Sequence, residues 1–397
     1  MLEGIRVIEL ATYIAGPSAG GMMADWGADV IKIEPLAGDP IRNFFGTLGI
    51  DSDANAVFDL DNRGKRSVTL DTSTKEGNET LKRLIKDADV FLTNIRPGGL
   101  ERAGLDYETL KALNPRLVYA SVSGYGLKGE ERDRPGFDMA AFWARSGVGS
   151  LMTPKGQEPV ALRTALGDHV TGMATAAGIM AALFERSNTG VGRLVETSLL
   201  RTGIYALGSD MAIQMAFGRI ASTKDRHHVN QPLNNYFKTS DNNWLCILPR
   251  QNETDWHAIA RATGLEHFID DPRFTGGKAR KENTVLIVDE LDAAFAKHDL
   301  AEWGKRLDAE DLVWAPVQTP AQVINDPQAI AAGAFTQMPT HDGGSVNVPA
   351  TPVRFHGYDD SPSGPSPRIG QHNDEVMKEA GLSDEEIAAL RASKALG

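Results

Sequence analysis

The chain has 397 residues, with 41 Lys and Arg against 53 Asp and Glu, for a formal net charge of −12. Apolar residues at 41% and charged residues at 24% exclude wholesale disorder, and the acidic balance argues against a surface built to hold nucleic acid. A lone cysteine, Cys246, excludes an internal disulfide and any cysteine-cluster metal site. In chain order, residues 5–10 and 30–34 read as short strands flanking the small-residue segment 15–28, where Pro17 suits a first helical turn. A strand at 67–71, a helix at about 76–87, a strand at 90–94, a helix near 107–113 and a strand at 117–122 follow. Alternation on this scale predicts an α/β domain of the doubly wound kind with parallel strands.

The middle changes character. Residues 167–186, rich in Ala and Gly, predict a long helix able to pack close to a neighbour; 187–192 read as a turn, 194–198 as a strand and 199–217 as helix. The polar stretch 218–235 reads as a linker. A smaller α/β unit is predicted over 236–326, with a strand pair near Phe237 and at 244–248 and helices at 253–263, 283–296 and 299–307. Residues 327–397 return from it, first rich in Pro, Gly, Asp and Ser, then ending in a surface helix at 384–395 with Ser383 as its N-cap. Residues 1–10 show no secretory leader and no run approaches the ~18 apolar residues of a membrane span, so a cytoplasmic protein without membrane contact is expected.

Several chemistries find little support. The turn after the first strand, Ala15-Gly16-Pro17-Ser18-Ala19-Gly20-Gly21, is not a dinucleotide fingerprint, although Glu34 stands where a ribose-binding acid would. His227 and His228 are adjacent and share no helix face, so a solvated linker is expected there and no metal site. Cys246 lies in an apolar strand and reads as an inert thiol, and no G-x-S-x-G elbow is present. Asp168 stands at the start of the small-residue helix. It is either an N-cap or an anion held at a helix N-terminus, with Gly167 and Gly172 leaving room for a reactant. Arg42, Arg63, Lys65, Arg66, Arg96 and Arg102 cluster near βα turns and suggest a local phosphate-binding surface, against a reading as scattered surface charge.

At these residues the chain resembles the class III CoA-transferases, the family of formyl-CoA transferase, carnitine CoA-transferases and α-methylacyl-CoA racemases. The resemblance rests on Leu2-Glu3-Gly4-Ile5-Arg6-Val7-Ile8-Glu9 with Ala15-Gly16-Pro17, on Gly27-Ala28-Asp29-Val30-Ile31-Lys32-Ile33-Glu34-Pro35, and on Gly38-Asp39 with Arg42. It continues through Asn62-Arg63-Gly64-Lys65-Arg66-Ser67, Asn94 with Arg96-Pro97-Gly98, Leu113-Asn114-Pro115-Arg116-Leu117-Val118-Tyr119, Leu166-Gly167-Asp168 and Ile369-Gly370-Gln371-His372-Asn373-Asp374-Glu375, covering nearly the whole chain.

The resemblance implies a Rossmann-like large domain built from both chain ends (1–217 and 327–397), a smaller inserted α/β domain, and an interlocked homodimer. It implies that Asp168 is the catalytic nucleophile, and that Arg42, Leu70, Asn94, Ile95, Arg96, Arg102 and the loop to Phe137 surround coenzyme A, with Ala15 near the thioester. Coenzyme A would then move from an acyl-CoA to a free carboxylic acid through mixed anhydrides and an aspartyl-CoA thioester. Acyl-CoA is a substrate in this reading, with no permanently bound cofactor. The alternative is an acyl-CoA racemase, epimerase or isomerase, but the racemase base position reads Phe137 in Pro135-Gly136-Phe137-Asp138, and phenylalanine takes no proton. Asp138 either positions the nucleophile or caps a helix. Ile14 stands where formyl-CoA transferases carry glutamine; with Phe137, Phe142 and Trp143 it suggests a larger or less polar acid, against a reading of these aromatic residues as ordinary packing.

Overall fold

The computed structural model describes residues 1–49, 55–163, 165–250 and 253–397. They divide into two compact units: residues 1–150, 161–219 and 331–397 form the first, and residues 151–160 and 220–330 the second.

The first unit opens with β1 (Arg6–Leu10), α1 (Ala15–Asp25), β2 (Asp29–Glu34), α2 (Ala56–Asn62) and β3 (Arg66–Thr69). It continues through α3 (Lys75–Lys86), β4 (Val90–Thr93), α4 (Pro97–Ala103), α5 (Tyr107–Leu113), β5 (Val118–Ser123), α6 (Leu166–Thr189), β6 (Leu194–Ser198), α7 (Leu199–Ala206) and α8 (Gly208–Phe217). The six strands form one sheet in the order β3-β2-β1-β4-β5-β6, and all pairings are parallel. β4 and β5 are mostly apolar and buried on both faces, as a sheet covered by helices on each side requires. The strand order reverses between β1 and β4, so the loops leaving these two strands part and leave a crevice at their C-terminal ends.

α6 runs three residues beyond the predicted stop, because its last residues are helical up to Gly190, whose left-handed φ of 74° ends it. Its small residues do not open space for a reactant. A Cβ at Gly167 would meet the Phe142 ring at 2.6 Å, and one at Gly172 would meet Ser18 Oγ at 2.0 Å and Ala15 O at 3.1 Å. The missing side chains let α6 lie directly on α1 and on the Phe142 segment.

The second unit holds a three-stranded antiparallel sheet of β7 (Asn235–Lys238), β8 (Trp244–Ile247) and β9 (Trp314–Pro316), with α9 (Glu253–Thr263), α10 (Thr284–Phe295) and α11 (Leu300–Ala309) in sequence between β8 and β9. Its core is aromatic: Phe237 stacks on Phe295 at 4.8 Å, and the Trp303 indole donates to Phe295 O at 2.7 Å. Residues 220–235, which read as a linker, fold with this unit, and Arg226 grips the Asp292 carboxylate at 2.6 and 2.8 Å. Cys246 is half-buried on β8, and burial pushes its thiol up.

The returning segment adds the hairpin β10 (Phe335–Pro339) and β11 (Ser345–Pro349), which its composition did not suggest, and then α12 (Asn373–Glu379) and α13 (Asp384–Ala392). Ser383 caps α13 in a capping box with Glu386. The tail closes the exposed edge of β3. Ser67 N donates to His372 Nδ1 at 3.0 Å, Thr69 N to Asn373 Oδ1 at 2.9 Å, and Leu70 bridges to Leu396. The first unit is therefore built from both ends of the chain. No helix among the described residues is long and apolar enough to cross a membrane.

Candidate active site

A cavity of about 650 Å³ lies at the point where the strand order reverses. Thr12, Tyr13 and Ala15 reach it from the exit of β1, Asn94 to Arg96 from the exit of β4, and Val122 to Gly124 from the end of β5. Asp168 enters from the first turn of α6, and the stretch Arg132 to Phe137 closes another wall.

The frame beneath it is a buried ion network. Glu9, fully buried on β1, takes Lys32 Nζ at 3.2 Å on one oxygen and Lys65 Nζ at 2.7 Å on the other. Lys32 also holds Ala11 O at 2.9 Å and Asp39 at 2.8 Å, while Lys65 holds Pro17 O at 2.8 Å. Asp39 in turn accepts from Tyr13 N at 3.1 Å. These bonds fix the loop from Ala11 to Pro17, in which Tyr13 adopts φ 62°, a left-handed conformation that a non-glycine residue keeps only when its surroundings impose it. Asn94 clamps the same loop, accepting from Thr12 N at 3.0 Å and donating to Thr12 O at 2.7 Å.

Asp168 is not the helix cap. The N-cap is Ala165, at φ 71°, and Asp168 stands in the first turn with no hydrogen bond or ion pair from any described residue. Burial, together with the negative charges of Asp138 and Asp61, pushes its carboxyl up to about 7, against the opposing pull of His169. His169 Nε2 lies 3.2 Å from Asp61 Oδ1. Burial alone would lower the imidazole, but Asp61 and Asp168 outweigh it and hold it above its ordinary value. Asp138 is buried; one oxygen accepts from Met139 N at 2.7 Å, and the other has no hydrogen-bond partner among the described residues.

Of the residues singled out in the sequence, Ala15, Asn94, Ile95, Arg96, Arg102, Phe137 and Asp168 line this one cavity. Two do not. Arg42 lies outside it, its guanidinium gripping Glu34 at 2.6 and 2.7 Å and stacked on the Phe58 ring at 3.9 Å. Leu70 lines an adjoining, mainly apolar cavity of about 520 Å³ that shares Thr12, Ile95 and Gly99 with the first. Glu34 has no vacancy for a ribose, since Asp39 N, Arg42 and Ser67 Oγ already occupy its oxygens.

The basic cluster also divides. Arg63 is buried against Asp25 at 2.6 Å, Lys65 against Glu9, and Arg66 bonds Asp29, Glu375 and Glu379. All three are tied up in ion pairs, buried for Arg63 and Lys65 and partly exposed for Arg66. Arg96 and Arg102 remain. Neither has a carboxylate partner among the described residues, and both face the cavity from α4 and its start. Among the described residues, His227, Asp289 and Asp292 bring ligand atoms within 4.8 Å of one another, but Arg226 already bonds Asp292 and approaches His227 Nε2 at 3.0 Å. That pairing, and not solvent, organises the histidine read as part of a linker.

Sequence reading missed Asp61, Tyr13 and Asp133. Tyr13 meets Phe137 edge to face at 5.4 Å, and Asp133 accepts from Gly98 N at 2.6 Å, joining the loop before Phe137 to the start of α4. Each depends on a partner far along the chain, and no local motif announces it.

The model of the family described as CoA-transferase family III matches residues 2–373. The (R)-2-hydroxy-4-methylpentanoate CoA-transferase of Clostridioides difficile is 35% identical over 99% of this chain and 99% of its own length. The cinnamoyl-CoA:phenyllactate CoA-transferase of Clostridium sporogenes is 33% identical over 99% and 97%. Among solved structures, a CAIB/BAIF family protein from Brucella suis superposes with a TM-score of 0.84 at 31% identity, covering 95% of this chain and 98% of that one. A parallel sheet in the same fold, a cavity at its switch point and a match along almost the entire sequence lead to one conclusion: the chain belongs to CoA-transferase family III and is a CoA-transferase acting on acyl-CoA thioesters.

Proposed function

We propose that this enzyme moves coenzyme A between an acyl-CoA and a free carboxylic acid through covalent intermediates on Asp168. One observation carries the reading: Asp168, a carboxylate held by no donor among the described residues, shares a cavity with the start of α1 and with Arg96 and Arg102. A carboxylate that burial makes costly to ionise is a stronger nucleophile once ionised. Its oxygen attacks the thioester carbonyl, the C–S bond breaks, and CoA leaves as thiolate from an acyl-aspartyl anhydride. The thiolate then attacks the Asp168 carbonyl and displaces the acyl group as its carboxylate, leaving an aspartyl-CoA thioester. The acceptor carboxylate attacks that thioester to form a second anhydride. The thiolate returns to the acceptor carbonyl, and Asp168 is restored.

No step consumes ATP, because each bond broken to CoA is re-formed at comparable energy. The first N–H groups of α1, around Ala15, have no partner within their helix and suit the oxyanion of each tetrahedral intermediate. Arg96 and Arg102 suit the CoA phosphates. Tyr13 and Phe137, paired edge to face with Leu199 on the same lining, suit a branched or aromatic acid, in line with the names of the two relatives above. Exposed Phe184, Tyr205, Met215 and Phe217 on α6, α7 and α8 support a homodimer, which sedimentation at working concentration would test.

Asp168→Ala is the direct test of the nucleophile. It should abolish exchange between free and thioesterified acids while acyl-CoA affinity stays within about tenfold, since the nucleotide contacts are elsewhere. Near-normal turnover in that variant would overturn the reading.

A further inference from the structure

We propose that Asp61 and His169 are a charged positioning pair that holds a cation beside Asp168 and so keeps the nucleophile ionised. This rests on Asp168 being the nucleophile.

The geometry is specific. Asp61, in the last turn of α2, is 4% exposed; Oδ1 lies 3.2 Å from His169 Nε2, and Oδ2 is buried with no hydrogen-bond partner among the described residues. A buried carboxylate favours a positively charged partner; His169 is the one within hydrogen-bond distance, and the Lys65 ammonium lies within electrostatic reach of the same group. Asp61 is also held firmly in place. A Cβ at Gly21 would stand 2.7 Å from Asp61 O, so α1 packs on that carbonyl, and the next residue, Asn62, takes Lys65 Nζ at 3.0 Å. His169 follows Asp168 in the chain, and its N–H donates to Ala165 O at 2.9 Å.

The charges facing Asp168 come from three elements: Asp138 ahead of the Met139–Ala144 turn, Asp61 on α2 and His169 on α6. α1, packed on the same helix, carries only Asp25, which Arg63 neutralises at 2.6 Å. Arg96 and Arg102 line the same cavity from α4 and its start. The two acids oppose ionisation of Asp168, and the imidazolium favours it.

The test is the pH profile of kcat/KM for wild type, His169→Gln and the double variant Asp61→Asn/His169→Gln, with hydroxylamine trapping at position 168 alongside. His169→Gln leaves Asp61 and Asp138 uncompensated. Its acid limb should move up by about one pH unit, a roughly tenfold loss below the limb that is recovered above it. The double variant removes one charge of each sign, so the limb should return toward wild type, an outcome that lost packing would not produce. A His169→Gln limb superposing on wild type, or a pH-independent loss that the second substitution does not repair, overturns the pair while trapping at Asp168 stands. Absence of trapping in the wild type overturns the nucleophile assignment, and the pair with it.

Discussion

Gly167→Ala places a methyl group where the Phe142 side chain now lies. A Cβ there would stand 2.6 Å from Phe142 Cγ, 2.7 Å from its Cβ and 2.8 Å from Cδ1. Carbon atoms pack at about 3.5 Å or more, so the ring or the start of α6 must retreat by roughly 0.9 Å. Phe142 is 4% exposed, and because its own Cβ is among the crowded atoms, rotating the ring gives no relief. Overpacking of this kind costs about 1–3 kcal/mol. The next residue is Asp168, and a displacement near 1 Å at a reacting group costs about 100-fold in rate. Turnover should therefore fall ~10- to 100-fold, with the acyl-CoA KM within about threefold, because Arg96 and Arg102 sit on a different element. Steady-state kinetics and thermal melting read both effects, and Gly167→Ala/Phe142→Leu should recover much of the lost turnover. Wild-type kinetics and an unchanged melting temperature in the single variant would refute the claim that this packing places the nucleophile.

Other consequences concern charge. Asp168 has its carboxyl raised from an ordinary 3.8 to about 7 in the fold, so the folded state bears the cost of the charge above pH 7 and is relieved of it as pH falls toward 4. Asp168→Asn should thus be more stable than wild type at pH 8, by on the order of 2 kcal/mol after allowing for solvent in the cavity, with the gain vanishing near pH 4. Urea unfolding at both pH values checks this, and a gain that grows with acidity would contradict the sign. Arg102→Ala should raise the acyl-CoA KM more than it lowers turnover, whereas Arg42→Ala, which frees the buried Glu34, should show first as lost stability; equal KM effects would mean that Arg42 leaves Glu34 when CoA binds. Lys65→Met strips Glu9 of one of its two cations, and chemical unfolding should report a loss of about 3 kcal/mol, with a loss below about 1 kcal/mol arguing that the network is dispensable.

The sheet was legible where its strands are buried on both faces. The runs at 90–93 and 118–123 are mostly apolar and buried at every residue but Ser123, and even β6, which is only partly buried, falls on its predicted residues. The hairpin at 335–349 was not, because its residues are largely exposed and its strands pair mainly with each other. In the site, composition and spacing alone left Asp168 undecided between a cap and a nucleophile; family motifs brought it forward, and the structure removed the cap. Arg42 shows the opposite limit. A basic residue beside a βα turn reads the same whether it faces a phosphate or a carboxylate eight residues earlier, and here it holds Glu34. The pairing of Asp61 with His169 spans 108 positions and depends on α1 and α6 packing through glycine, a relation no local pattern encodes.

A covalent bond between Asp168 and coenzyme A can be read from the intact-protein mass. The enzyme would be incubated with a panel of branched-chain and aryl acyl-CoAs, with and without hydroxylamine, beside Asp168→Ala. A CoA-sized adduct is expected on the wild type, which hydroxylamine converts to a hydroxamate mapped to Asp168, and no adduct on the variant. An unmodified wild-type mass under conditions where coenzyme A is demonstrably being exchanged, or an adduct at another residue, would contradict the covalent bond to Asp168.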